Sequence, residues 1–141
     1  MGRALRRLAL ATALQVYVAC KPVPAPRPRM TKTGHVYYPK PYVEQQGLLQ
    51  REFSRQRASG DPLSGALVVS AEIVMPAPKK TVRVAPPGDV DNLAKGPLDA
   101  ITKTGRFWSD DTQVAQLFIE KRWAEPGEEP SVRLRINTLE D

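Results

Sequence analysis

Every second residue from Pro22 to Pro28 is a proline, with Pro39 close behind. Proline has no backbone N–H to donate and a fixed φ, so it is excluded from helix interiors and inner strands. Residues 20–40 are therefore predicted as an extended loop. The remaining prolines and glycines punctuate the chain in the same way. A strand is expected over 15–19. Pro41 suits a first helical position, and Tyr42, Leu49 and Phe53 recur at helical spacing, so a helix is expected over 41–58, ahead of Gly60. Leu67, Val69, Ala71, Ile73 and Met75 alternate in a run that Pro76 closes, which predicts a strand over 67–75. After a loop over 77–88 a second helix is expected over 93–104, with Leu93, Leu98 and Ile101 on one face and Gly105 as its C-terminal stop. Its start is placed at Leu93 because Pro97 is tolerable only near the first turn. Two more strands, 114–123 and 132–137, complete the pattern. The expected fold class is α+β: a mixed sheet of about four strands with two helices packed on it and the acids at the sheet edge beside the second helix.

Length and charge narrow the function. A chain of 141 residues bounds a single compact domain, expected over 15–141, with 1–14 as a basic N-terminal extension. The net charge is +6. Residues 1–41 hold eight cations (Arg3, Arg6, Arg7, Lys21, Arg27, Arg29, Lys32, Lys40) and no acid, whereas the other hundred residues carry a small net negative charge. A cationic arm on a weakly acidic body favours a polyanionic partner, nucleic acid before membrane. One cysteine (Cys20) and one histidine (His35) exclude, within one chain, a Cys/His zinc site, a disulfide and a Ser-His-Asp triad. Chemistry must rest on carboxylates, lysine or a bound metal. The first nineteen residues imitate a signal peptide, but Tyr17 and Val18 stand where small residues precede cleavage, and the uncharged run from Leu8 to Cys20 is shorter than the roughly 20 residues a membrane helix needs. A cytoplasmic protein is expected.

The densest polar signal is Gly88-Asp89-Val90-Asp91-Asn92, followed by Lys95, Asp99 and Asp110-Asp111. In an extended segment Asp89 and Asp91 project the same way, about 6 to 7 Å apart along the chain. That spacing lets two carboxylates share a hard cation such as Mg²⁺, which takes oxygen ligands and serves phosphoryl transfer. The same residues also have plain structural readings. Asp91 or Asn92 can cap the helix, Asp110-Asp111 can form a turn, and Lys95 and Asp99, four apart, can pair on the helix surface. Phosphate contacts are expected from Arg27, Arg29, Lys32, Lys40, Lys79, Lys80 and Arg83. Tyr37, Tyr38 and Trp108 are candidate stacking surfaces, with packing as the alternative for the two tyrosines.

The run from Gly88 through Ile101, continued by Phe107-Trp108-Ser109-Asp110-Asp111-Thr112-Gln113-Val114, resembles the signature of the RusA family of Holliday junction resolvases: D-x-D-N-L-x-K, a helix with L-D-A, then D-D-x-Q-V. The resemblance spans about 27 continuous residues in order. It implies that Asp89, Asp91 and Asp111 hold the metal, Mg²⁺ with Mn²⁺ as a substitute, and that Lys95 is needed for catalysis. Asp110 would assist the metal or shape the turn; Asp99 matches the pattern without an implied role. It further implies a homodimer that nicks opposing strands of a branched, four-way DNA junction in recombination and repair. Arg106 falls in a loop of variable length, and the first dozen residues extend beyond the family's usual start. Two other readings remain beside this one: a junction-binding relative without catalysis, and a basic interaction protein whose aspartates are caps and turns.

Overall fold

The computed structural model describes residues 14–80 and 84–139. The proposed N-terminal extension, with Arg3, Arg6 and Arg7, and the cation Arg83 lie outside the described residues. Four strands form one mixed sheet in the order β1 (Leu14–Ala19), β6 (Ser131–Thr138), β4 (Leu67–Met75), β5 (Val114–Trp123). β6 pairs antiparallel with both β1 and β4, while β4 and β5 run parallel. A parallel pair needs a crossover connection, and here it is a helix. Two helices, α1 (Lys40–Gln56) and α2 (Val90–Thr104), cover one face of the sheet. The expected α+β class, mixed four-stranded sheet and two helices are all present.

The core lies between helices and sheet. Leu49 and Phe53 of α1 and Ala94, Ala100 and Ile101 of α2 pack against Val16, Val18, Leu67, Val69, Ala71, Leu134 and Ile136, all of them buried. β4 is the central strand and is buried along nearly its whole length, on both faces except at Ser70 and Glu72. On the sheet's other face Tyr17, Glu72, Arg122 and Arg133 form a charged layer, with the Arg133 guanidinium 4.8 Å from the Tyr17 ring centroid. No helix among the described residues is long and apolar enough to cross a membrane.

Three local expectations need correction. The 20–40 loop contains a short hairpin, β2 (Arg29–Met30) paired with β3 (Val36–Tyr37), around a turn closed by Thr31 N–H donating to the His35 carbonyl at 2.8 Å. α2 begins at Val90 rather than 93, so Asp91 is helical and Pro97 sits well inside the helix. Two other carbonyls of the helix accept from distant parts of the chain: Ala25 N–H donates to the Asn92 oxygen at 2.8 Å and Gln46 Nε2 to the Gly96 oxygen at 2.8 Å. These bonds tie α2 to the arm and to α1, while Pro97 still withholds the N–H that the Leu93 carbonyl would otherwise accept. Finally, α1 ends at Gln56, two residues early. Gly105 ends α2 as expected, in the left-handed region (φ 65°) with its N–H donating to the Thr102 carbonyl at 3.1 Å.

Candidate active site

Gly88, at φ 94°, turns the chain out of the 84–88 loop into Asp89, the N-cap of α2. Asp89 has extended backbone angles and its carboxylate makes no capping hydrogen bond, which leaves it exposed and free for other contacts. Asp91 stands in the first turn, where negative charge is favoured by the unpaired helical N–H groups. Lys95 and Asp99 follow at four-residue intervals. One helix face therefore carries Asp91, Lys95 and Asp99 in a row, successive members about 6 Å apart along the axis.

That face forms one wall of an open groove of about 580 Å³ between α2 and β5. Ala115, Leu117 and Ile119, alternate residues of β5, form the opposite wall, and Asp111 enters at one end. Asp91, Lys95, Asp99 and Asp111 all line it. Trp108 closes its floor. That ring is fully buried and its Nε1 donates to Thr102 Oγ1 at 2.8 Å, so Trp108 is a core residue and the stacking role expected for it is excluded.

Asp111 owes its position to Gln113. Residues Asp111–Gln113 form one turn of 3₁₀ helix capped by Asp110, whose carboxylate accepts from Thr112 N–H at 3.0 Å. The Gln113 amide oxygen accepts from Ser109 N–H and Asp110 N–H at 2.8 and 3.2 Å. Its Nε2 donates to the Leu63 and Gly65 carbonyls at 2.9 and 3.0 Å, which ties the turn to the segment entering β4. The two adjacent carboxyls interact. A hydrogen bond from the Thr112 backbone, then one shared with Asp111, lowers the Asp110 pKa; the same shared bond with Asp110, then desolvation and the Asp110 and Asp99 charges, raises that of Asp111.

The sequence-predicted residues divide as follows. Asp91, Lys95 and Asp111 converge on the groove, joined by Asp99. Asp89 is the helix cap, not Asp91 or Asn92, and it does not line the groove. Because α2 starts early, Asp89 and Asp91 do not share one side of an extended segment. Among the described residues no three acidic, histidine or cysteine side chains stand close enough to hold one metal ion together. Nor is a Lys95–Asp99 bridge among the ion pairs the described residues form. Arg27, Arg29, Lys32, Lys40, Lys79 and Lys80 are all exposed. Tyr37 and Tyr38 are each 46% exposed, and the Tyr38 ring rests on Tyr42 at 5.5 Å.

Sequence reasoning missed Lys121. It follows Ala115, Leu117 and Ile119 on the same face of β5, and its Nζ donates to the Pro86 and Gly88 carbonyls at 2.7 and 2.5 Å. The signal was a single cation ending an alternating apolar row. It also missed the structural role of Gln113, although that residue was part of the pattern it read.

No curated protein matches the chain at a significant level. The family model described as Endodeoxyribonuclease RusA matches residues 19–137. That span runs from the last residue of β1 into β6 and takes in both helices, the hairpin and every residue lining the groove. With most of its length matched, the chain belongs to the RusA family of endodeoxyribonucleases, which act on branched DNA junctions.

Proposed function

We propose that the protein is a divalent-cation-dependent endodeoxyribonuclease that resolves four-way DNA junctions by paired nicks, as a homodimer, in recombination and repair. The observation that carries this reading is the convergence of Asp91, Lys95, Asp99 and Asp111 on one open groove of a family endonuclease. Histidine and cysteine are absent from the groove, so its polar lining is three carboxylates, the Asn92 amide and one ammonium, with the Trp108 N–H engaged by Thr102.

The donor set suits a hard cation: carboxylates only, exposed, around a groove wide enough for a phosphodiester. Asp91 and Asp111, with Asp89 at the cap just before, would hold Mg²⁺ or Mn²⁺. The Asp110–Asp111 pairing fits this, because two carboxyls that share a hydrogen bond when alone are relieved by positive charge. When bound, the cation would supply polarisation of the phosphate and an acidified water. The remaining work belongs to the chain. Lys95, between Asp91 and Asp99 on the helix face, offsets their repulsion of the incoming phosphate and stabilises charge that develops on its oxygens. Gln113 and Asp110 fix the turn that presents Asp111. The apolar β5 wall lowers the local dielectric and strengthens each of these interactions.

A second copy is supported by β5 itself. It is an edge strand, and it leaves Leu117 40% exposed on the groove face and Phe118 47% exposed on the opposite face. A two-fold dimer would present two equivalent sites to the two strands that must be cut. One observation favours a second reading, a junction binder without catalysis: no three ligating side chains converge among the described residues. Incubation of a labelled four-way junction and a linear duplex of the same sequence, with Mg²⁺ or EDTA, separates the two. Metal-dependent paired nicks in the junction alone support the resolvase. A bound but intact junction at every metal concentration supports the binder.

A further inference from the structure

The short hairpin in the proline-rich arm has two unlike faces. Met30 lies directly opposite Val36 and Arg29 directly opposite Tyr37. Opposed residues share a face and successive residues alternate, so Met30 and Val36 form an apolar pair on one side, with a cation and an aromatic ring on the other. All four are exposed, Met30 at 69% and Val36 at 62%. A hairpin with two residues in each strand is marginal alone. This one is held by its turn, where Thr31 Oγ1 accepts from His35 N–H at 3.0 Å and Gly34, at φ 87°, donates to the Thr31 carbonyl.

The arm is also fixed at both roots. Before the hairpin, Ala25 N–H bonds the carbonyl of Asn92, the residue after Asp91, and Gln45 brackets Val23 with bonds of 2.6 and 3.2 Å. After it, Tyr38 packs on Tyr42. The root of the arm is therefore tied, four residues before the hairpin, to the residue that follows Asp91.

An apolar pair flanked by Arg29 and Lys32, on a stretch of 41 residues without an acid, is matched by a partner that has an anionic backbone and accessible apolar faces. Nucleic acid has both where its base stack is interrupted. Resting on the resolvase reading, we infer that the Met30–Val36 pair is a wedge that enters the branch point of a four-way junction and packs against the base pairs flanking the strand exchange. Arg29 and Lys32 hold the adjoining phosphates. In a linear duplex the same insertion must first separate stacked bases, which costs free energy. The wedge thus acts on the preference for junction over duplex, whereas the cations act on both.

The test uses a junction carrying 2-aminopurine beside the branch point, in EDTA so that no cutting occurs, with a duplex competitor. The wild type is expected to raise the 2-aminopurine emission. The Met30→Ser/Val36→Ser variant is expected to leave it at the level of the free junction and to reduce the junction-to-duplex affinity ratio about tenfold, with duplex affinity changed less than about twofold. Both side chains are exposed, so its melting temperature should match the wild type; Arg29→Ala should weaken both DNAs alike. If the double variant keeps the emission change and the affinity ratio, the wedge is refuted while the resolvase reading stands. If the wild type itself binds junction no better than duplex, the resolvase reading fails and the wedge with it.

Discussion

Lys121 Nζ donates to the Gly88 carbonyl oxygen at 2.5 Å, one residue ahead of Asp89, and its second bond to Pro86 holds the same loop. The edge strand thereby clamps the segment that delivers Asp89 and Asp91. Removing the ammonium while keeping the stem should loosen both carboxylates without touching the DNA-binding arm. Lys121→Met is expected to slow single-turnover cleavage by about 10- to 100-fold. Junction affinity in EDTA should stay within about twofold of the wild type, since phosphate contacts are made elsewhere. An equal fall in both would make Lys121 a DNA contact instead.

Gly96 lets the two helices approach. A Cβ there would stand 2.9 Å from Gln45 Nε2, 3.2 Å from Tyr42 Cε1 and 3.3 Å from Gln46 Nε2. Those amides cannot simply swing aside, because they bond Val23 and the Gly96 carbonyl itself. Gly96→Ala gains about 1 kcal/mol of helix propensity, but overpacking costs about 1–3 kcal/mol. A net loss of about 1 kcal/mol is expected, read as a lower denaturant midpoint with unchanged slope.

Acid should weaken the fold through Glu128. Its carboxylate meets Arg122 in two bonds of 2.6 and 2.7 Å, and that pairing, with a backbone bond from Glu125, holds its pKa down to about 2 from 4.5. A carboxylate depressed in the folded state contributes stability above its unfolded pKa and loses it as pH falls through the folded value. The contribution should therefore disappear between about pH 4.5 and 2. Glu128→Gln should melt lower than the wild type at pH 7, and the two curves should approach each other toward pH 2.

Six exposed cations, Arg27, Arg29, Lys32, Lys40, Lys79 and Lys80, are proposed to meet phosphates. If all six do, log K against log salt should have a slope of about −5. Each neutralising substitution should reduce that slope by about 1. A slope near zero would remove the electrostatic account of binding.

Much of this was legible in the sequence, for physical reasons that differ by element. Residues 67–75 read as a strand because apolar alternation and Pro76 act locally, and β4 occupies that span. The stripe of Asp91, Lys95 and Asp99 follows from helical spacing once the helix is placed. The start of α2 was misjudged because the contacts that hold the helix around Pro97, Ala25 N–H on the Asn92 carbonyl and the Gln46 amide on the Gly96 carbonyl, come from distant parts of the chain. The hairpin was hidden by the prolines before it, although Thr31, Gly34 and His35 close its turn. Trp108 looked like a surface aromatic because the loop context gave no hint of Thr102 beneath it. The clamp by Lys121 depends on β4 and β5 lying parallel, which no local pattern encodes.

The central claim, that the groove between α2 and β5 cuts junction DNA, is tested most directly by single-turnover cleavage of a four-way junction in Mg²⁺ by the wild type and Asp91→Asn, with junction affinity measured in EDTA. The account predicts paired nicks by the wild type, loss of cleavage in Asp91→Asn, and affinity kept within about twofold, because Asp91 contacts no phosphate on its own. Undiminished cleavage by Asp91→Asn would contradict it and place the chemistry outside this groove.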